Sequence, residues 1–185
     1  MIRPWPRKGT EVLVKTPVFT LRRDQVVSPR TNAEHGMYVL ETGDWINIVP
    51  LTRDHRVVLV RQWRHGTRTA TLEIPGGLVD PTDTSLSHAA LRELREETGY
   101  AGREAVLLGT VEPNPAIQTT SCHTYLAEDV ELVGEQELDH GEDIAVETVP
   151  LSEIPRLIDE GQIRHALVVA AFAHLERYRR RVRSS

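Results

Sequence analysis

The stretch "EIPGGLVDPTDTSLSHAALRELREETGY", Glu73 to Tyr100, places three glutamates, Glu93, Glu96 and Glu97, shortly after two adjacent glycines. On a helix, positions four apart differ by about 40° and positions three apart by about 60°. Glu93 and Glu97 therefore project from one face, with Glu96 at its margin. Like charges at this spacing repel by a few tenths of a kcal/mol per pair. The arginines of "RELREE", plain solvent or a bound cation can each offset that repulsion, and Arg92 is spaced to pair with Glu96. Carboxylate oxygens gathered on a rigid helix are hard ligands suited to Mg²⁺ or Mn²⁺, which take few carboxylates and keep waters for a phosphate. A solvated, salt-bridged helix face accounts equally well for the glutamates taken alone. The glycines that precede them favour the ligand site, because glycine lets backbone approach a bound group closely.

The elements around this segment follow from pattern. Leu86, Ala90 and Leu94 recur every four residues, so residues 85–98 form an amphipathic helix with Thr84 or Ser85 as its cap and Gly99 at its end. Strands are expected within residues 11–30, across "GMYVLETGDWINIVPLT" with a turn at Gly43-Asp44, and in "RVVLVRQW", "TATLEIPGG", "EAVLLGTVEP", "CHTYLAEDVEL" and "EDIAVETVPL". "LSEIPRLIDEG" and "RHALVVAAFAHLERYRRR" read as helices, the second with a broad apolar face. Strands, helix, strands and helices in that order imply a mixed α/β sandwich.

With 185 residues, 39% of them hydrophobic, the chain has enough material for one domain with a sizeable core, or a domain plus an arm. A net charge of −5 argues against a general nucleic-acid binder. Only Lys8 and Lys15 of the 22 basic residues are lysines, and arginine's planar fork suits phosphate. Cys122 is the single cysteine, no apolar run reaches membrane-spanning length, and "MIRPWPRKGTEV" lacks the apolar core of a signal peptide. The expectation is a cytoplasmic protein with no membrane partner.

Residues 77–100 resemble the Nudix box: a glycine, five residues, Glu, seven residues, then Arg-Glu-apolar-x-Glu-Glu-x-Gly-apolar. Arg92, Glu93, Leu94, Glu96, Glu97, Gly99 and Tyr100 match its second half in full. The first half departs from it. Gly77 lies fifteen residues before Arg92, one more than the pattern, and the early glutamate is missing. Asp83 falls at its spacing from Gly77 and Thr84 at its spacing from Arg92. Beyond the box, "DWINIVPLT", "VVLVRQWRHG", "TLEIPGG" and "EPNPAIQTTSCHTYLA" resemble the Nudix branch that contains ADP-ribose and nucleotide-sugar pyrophosphatases.

The resemblance implies a Nudix α/β/α sandwich with a mixed central sheet over residues 44–185. It also implies an N-terminal β arm over residues 1–43 that pairs two subunits into a homodimer. The activity it implies is Mg²⁺- or Mn²⁺-dependent cleavage of the pyrophosphate of ADP-ribose or a related nucleoside diphosphate sugar, giving a nucleoside monophosphate and a sugar phosphate. Glu93 and Glu97 are then metal ligands, Glu96 a further ligand or water-holder, and the Gly76 carbonyl an extra ligand. Glu142, in "LDHGEDIAVE", is the leading general base or an additional ligand, with His140 as its rival. Arg61, Arg64, Glu73 and Trp45 are the candidates for substrate contact. Two other readings stand beside this one. One is a hydrolase of another nucleoside diphosphate derivative, such as GDP-mannose or a dinucleotide. The other is a non-catalytic Nudix-like nucleotide sensor.

Overall fold

The computed structural model describes residues 2–184, which fall into two compact units: 2–43 with 112–121, and 44–111 with 122–184. The first unit is built on an antiparallel sheet of β1 (Arg7–Lys15), β2 (Thr20–Val27) and β3 (Glu34–Glu41). Its buried Asp24 is held by Arg22 and the Thr10 hydroxyl. Leu40 of β3 bridges to Gln118, so the 112–121 loop extends this sheet. Every residue of β1 is exposed in the single chain, including Val12, Leu13 and Val14.

The second unit runs β4 (Trp45–Pro50), β5 (Arg56–Arg64), β6 (Thr69–Glu73), β7 (Gly76–Leu78), α1 (Leu86–Thr98), β8 (Tyr100–Ala101) and β9 (Val106–Val111). It continues with β10 (Cys122–Ala127), β11 (Glu131–Leu132), β12 (Ile144–Pro150), α2 (Ile154–Asp159) and α3 (Ala166–Arg183). One sheet has the order β7-β4-β10-β9 and the other β12-β5-β6. The first is mixed, because β10 runs parallel to β4 while β7 and β9 run antiparallel to their neighbours.

Side-chain alternation along the strands explains the layers. Ile46, Ile48, Val58, Tyr125 and Ala127 pack with Ala89, Ala90 and Leu94 of α1. Their strand neighbours Val49, Val57, Leu59, Leu72 and Leu126 pack with Leu157 of α2 and Val168, Phe172 and Leu175 of α3. Helices thus cover both faces, and burying a side chain such as Leu94 stabilises by about 2 kcal/mol. Among the described residues no helix is long and apolar enough to cross a membrane.

Helix α1 carries the caps its sequence predicts. Ser85 rather than Thr84 is the N-cap, its Oγ accepting from the His88 amide, and Gly99 closes the helix at φ 72°. Three local expectations change. The expected strand "TATLEIPGG" divides at Ile74-Pro75, and Gly76 and Gly77 form a separate short strand against β4. Tyr100-Ala101 pairs with Glu131-Leu132 as β8 and β11. The helix expected over "LSEIPRLIDEG" divides into a 3-10 turn, Leu151–Glu153, and α2, consistent with the helix-starting preference of Pro155.

Candidate active site

Strand β7 lies directly over the acidic side of α1. The Gly76 amide donates to Glu97 Oε2 at 3.0 Å. A Cβ on Gly77 would come within 2.5 Å of Glu93 Oε1, and one on Gly76 within 2.4 Å of the Ile46 carbonyl. Gly76 therefore needs glycine for its close approach to backbone, whereas a side chain at 77 would displace the Glu93 carboxylate. This packing corrects the picture of acids on a solvated helix face. Glu93 is 9% exposed and Glu97 only 3%, while Glu96 is half-buried.

Burial has electrostatic consequences. Desolvation pushes Glu97 up to about 8, aided by the charges of Glu93 and Glu142 and only partly opposed by the Gly76 amide. Desolvation likewise pushes Glu93 up to about 7, against the pull of Arg92 and with help from Glu96 and Glu142. Carboxylates are being taken out of water without enough positive charge to match them. A divalent cation would supply that charge, so the residues present fit a hard metal ion. Among the described residues no three His, Cys, Asp or Glu side chains form a ready metal cage.

Arg92 organises the acids from the side. It donates to Glu96 at 2.7 Å, lies 3.0 Å from Glu93, and grips Asp83 through Nε and Nη2 at 3.1 and 3.0 Å. The Asp83 side chain is 1% exposed, and the Arg92 guanidinium holds its carboxyl down at about 2 despite burial. In a loop one residue longer than the box pattern, Asp83 thus anchors the arginine. The residue was visible in the sequence at its spacing from Gly77, but its role was not.

Of the substrate candidates, the structure brings Arg64 and Glu73 together. Arg64 donates through Nε and Nη2 to both Glu73 oxygens, at 2.8 and 2.7 Å, and the Thr71 hydroxyl also donates to Glu73. Glu73 is 2% exposed with its oxygens engaged, so direct reach to a sugar gives way to holding Arg64. Arg64 stays half-exposed, and the charge of Glu97 adds to that of Glu73 in favouring its charged form. Arg61 is not brought to this face. Residues three apart on a strand point to opposite sides, and Arg61 pairs with Glu147 at 2.6 Å. Trp45 opens β4, half-buried and paired with Leu78 and Cys122, on the opposite side of the strand from Ile46.

Glu142 and His140 both lie exposed in the loop before β12. Glu142 Oε2 accepts from the Asp139 amide at 3.0 Å, and its charge raises both Glu93 and Glu97.

The fold and this acid cluster define an α/β/α hydrolase. The NUDIX domain family matches residues 44–172, and the chain belongs to the Nudix family. It is 30% identical to an ADP-ribose pyrophosphatase of Mycobacterium tuberculosis over 163 residues, covering 88% of this chain and 78% of that protein. An ADP-ribose pyrophosphatase of Bacillus subtilis is 26% identical over 160 residues, covering 86% of this chain and 85% of that protein. The crystal structure of an ADP compounds hydrolase has the same fold, with a TM-score of 0.85 at 21% identity, covering 96% of this chain and 95% of that one.

Proposed function

We propose that the chain hydrolyses the pyrophosphate bond of ADP-ribose or a closely related nucleoside diphosphate sugar, using Mg²⁺ or Mn²⁺. The observation that carries this reading is the intact, buried pair Glu93 and Glu97 beneath β7, in a chain similar along most of its length to ADP-ribose pyrophosphatases. Glu93 and Glu97 would hold the cation, with Glu96 and the Gly76 carbonyl as further oxygen ligands, and Glu142 is left free as the base. When bound, the cation supplies positive charge against the diphosphate and makes water more acidic beside it. Arg64, fixed by Glu73, grips a phosphate oxygen. Arg92 bridges Glu93 and Glu96 through its Nη1 and so holds the two carboxylates in a set geometry. Glu142 accepts the proton of the water that attacks one phosphorus, and the departing phosphate leaves as a monoester. The products of ADP-ribose cleavage are AMP and ribose 5-phosphate.

A non-catalytic sensor has no need of these acids, and all three are present here. The test is phosphate release coupled to a phosphatase, with ADP-ribose, GDP-mannose and a dinucleotide compared in Mg²⁺. ADP-ribose should give the highest kcat/KM, and Glu142→Gln should lower kcat by about 10²-fold or more. A preference for GDP-mannose or the dinucleotide would move the substrate class. No turnover of any of them would return the sensor reading, and wild-type turnover by Glu142→Gln would remove Glu142 as base.

We also propose a homodimer formed through the N-terminal sheet, in a protein that works in the cytoplasm without nucleic-acid or membrane partners. β1 is exposed along its whole length, and its Val12, Leu13 and Val14 leave apolar side chains for a second copy to cover. Sedimentation at micromolar concentration should give twice the 20.9 kDa chain mass. A monomer mass there would refute the dimer.

A further inference from the structure

Glu142 sits on an exposed loop, yet its charge acts on two buried glutamates of α1. A base carried on a free loop would spend little time at the required distance, so the base of that loop is where its position must be set. Upstream of it, residues 133–137 run across the C-terminal end of α1. The Val133 amide donates to the Gly99 carbonyl at 3.0 Å, and the Glu137 amide to the Glu96 carbonyl at 2.8 Å. Arg95 donates to the Glu135 carbonyl and pairs with the Glu137 carboxylate, each at 3.1 Å.

Gln136 stands at the centre of this crossing, half-buried. Its Nε2 donates to the Glu97 carbonyl at 2.6 Å and to the Ile144 carbonyl at 3.0 Å. The first acceptor is one of the helix-end carbonyls left without an intrahelical partner, and it belongs to Glu97, the most buried of the three glutamates of α1. The second belongs to buried Ile144, the first residue of β12 and two residues past Glu142. One side-chain amide therefore uses both of its hydrogens to join the metal-site helix to the strand that receives the Glu142 loop. Beyond this clasp, Glu142 is tied within the loop by its turn with Asp139.

We infer that Gln136 is a positioning residue, clasping α1 to β12 so that the loop between them delivers the Glu142 carboxylate to the Glu93–Glu97 cluster. This rests on the reading of Glu142 as the base and deepens it. Gln136→Met keeps length and packing and removes both donors. It should lower kcat for ADP-ribose by about 10–100-fold, the cost of a misplaced catalytic group, with KM changed less than about threefold and circular dichroism unaltered. Combined with Glu142→Gln it should add almost nothing, because the two substitutions disable one device.

A Gln136→Met enzyme with wild-type kcat overturns the inference. So does a double variant whose losses multiply, since Gln136 would then act independently of Glu142. If Gln136→Met does not fold, Gln136→Asn, one methylene too short to span both carbonyls, takes its place in the same cycle. Wild-type activity in Glu142→Gln alone would instead defeat the base assignment, and the positioning role would fall with it.

Discussion

Glu97→Gln is expected to lose turnover by about 10²–10³-fold, the equivalent of the several kcal/mol that a cation contributes to a phosphoryl transition state, and to be more stable than the wild type once divalent ions are removed. The second effect follows from burial. Glu97 in the folded chain has its pKa raised from 4.5 to about 8, with desolvation as the largest cause. A raised carboxyl contributes stability that is fully present below about pH 4.5 and is lost as pH climbs through 8. Glutamine mimics the protonated acid at every pH, and its amide oxygen can still accept from the Gly76 amide. In EDTA the wild-type Tm should therefore fall between about pH 4.5 and 8, and that of Glu97→Gln should fall less. Each pKa unit corresponds to about 1.4 kcal/mol, and each kcal/mol to about 2–4 °C for a chain of this size. A gap of several degrees at pH 8.5 is expected. Added Mg²⁺ should raise the wild-type Tm by mass action and leave the variant nearly unmoved. A variant less stable than wild type at pH 8.5 in EDTA would show that Glu97 is not an uncompensated buried charge. Turnover within tenfold of wild type would remove it from the metal site.

The same residue shows where reading the sequence succeeds and where it stops. The four-residue recurrence of Leu86, Ala90 and Leu94 marked α1, and Ser85 and Gly99 marked its ends, because helix period and caps are local properties. The spacing of Glu93 and Glu97 likewise put them on one face. Their burial was not legible, since it comes from β7, which forms only by pairing with β4 far upstream. Two glycines in a row look like a turn until a tertiary partner makes them a strand. Arg61 and Arg64 are both candidates for substrate contact on the resemblance, yet the period of two along β5 puts them on opposite faces. The Arg92–Asp83 anchor left a trace in the spacing from Gly77. The clasp at Gln136 left none, because a glutamine in an irregular segment carries no periodic signal and its two acceptors lie on separate elements.

The second large effect concerns Arg64. Its pair with Glu73 is lopsided: the arginine side chain is 41% exposed and the glutamate 3%. Burial alone would push the Glu73 carboxyl up, but the Arg64 and Thr71 hydrogen bonds outweigh it and hold the group below the usual glutamate value. Arg64→Ala strands that carboxylate in the protein interior, and breaking such a pair from the exposed side costs about 3–5 kcal/mol, or roughly 10 °C in Tm. The sign with pH is fixed. A depressed carboxyl contributes stability present above about pH 4.5 and lost as pH falls through its folded value, so wild type and Arg64→Ala should converge in acid. Glu73→Gln placed in the Arg64→Ala background removes the stranded charge and should recover much of the stability. It should not recover kcat/KM for ADP-ribose, since the phosphate has lost its guanidinium whichever residue stands at 73. Thermal unfolding and steady-state kinetics on the two single variants and the double variant separate these roles. If Arg64→Ala melts like wild type, the pair does not hold the sheet end together. If the double variant regains turnover, Arg64 serves the fold alone, and substrate phosphate is held elsewhere.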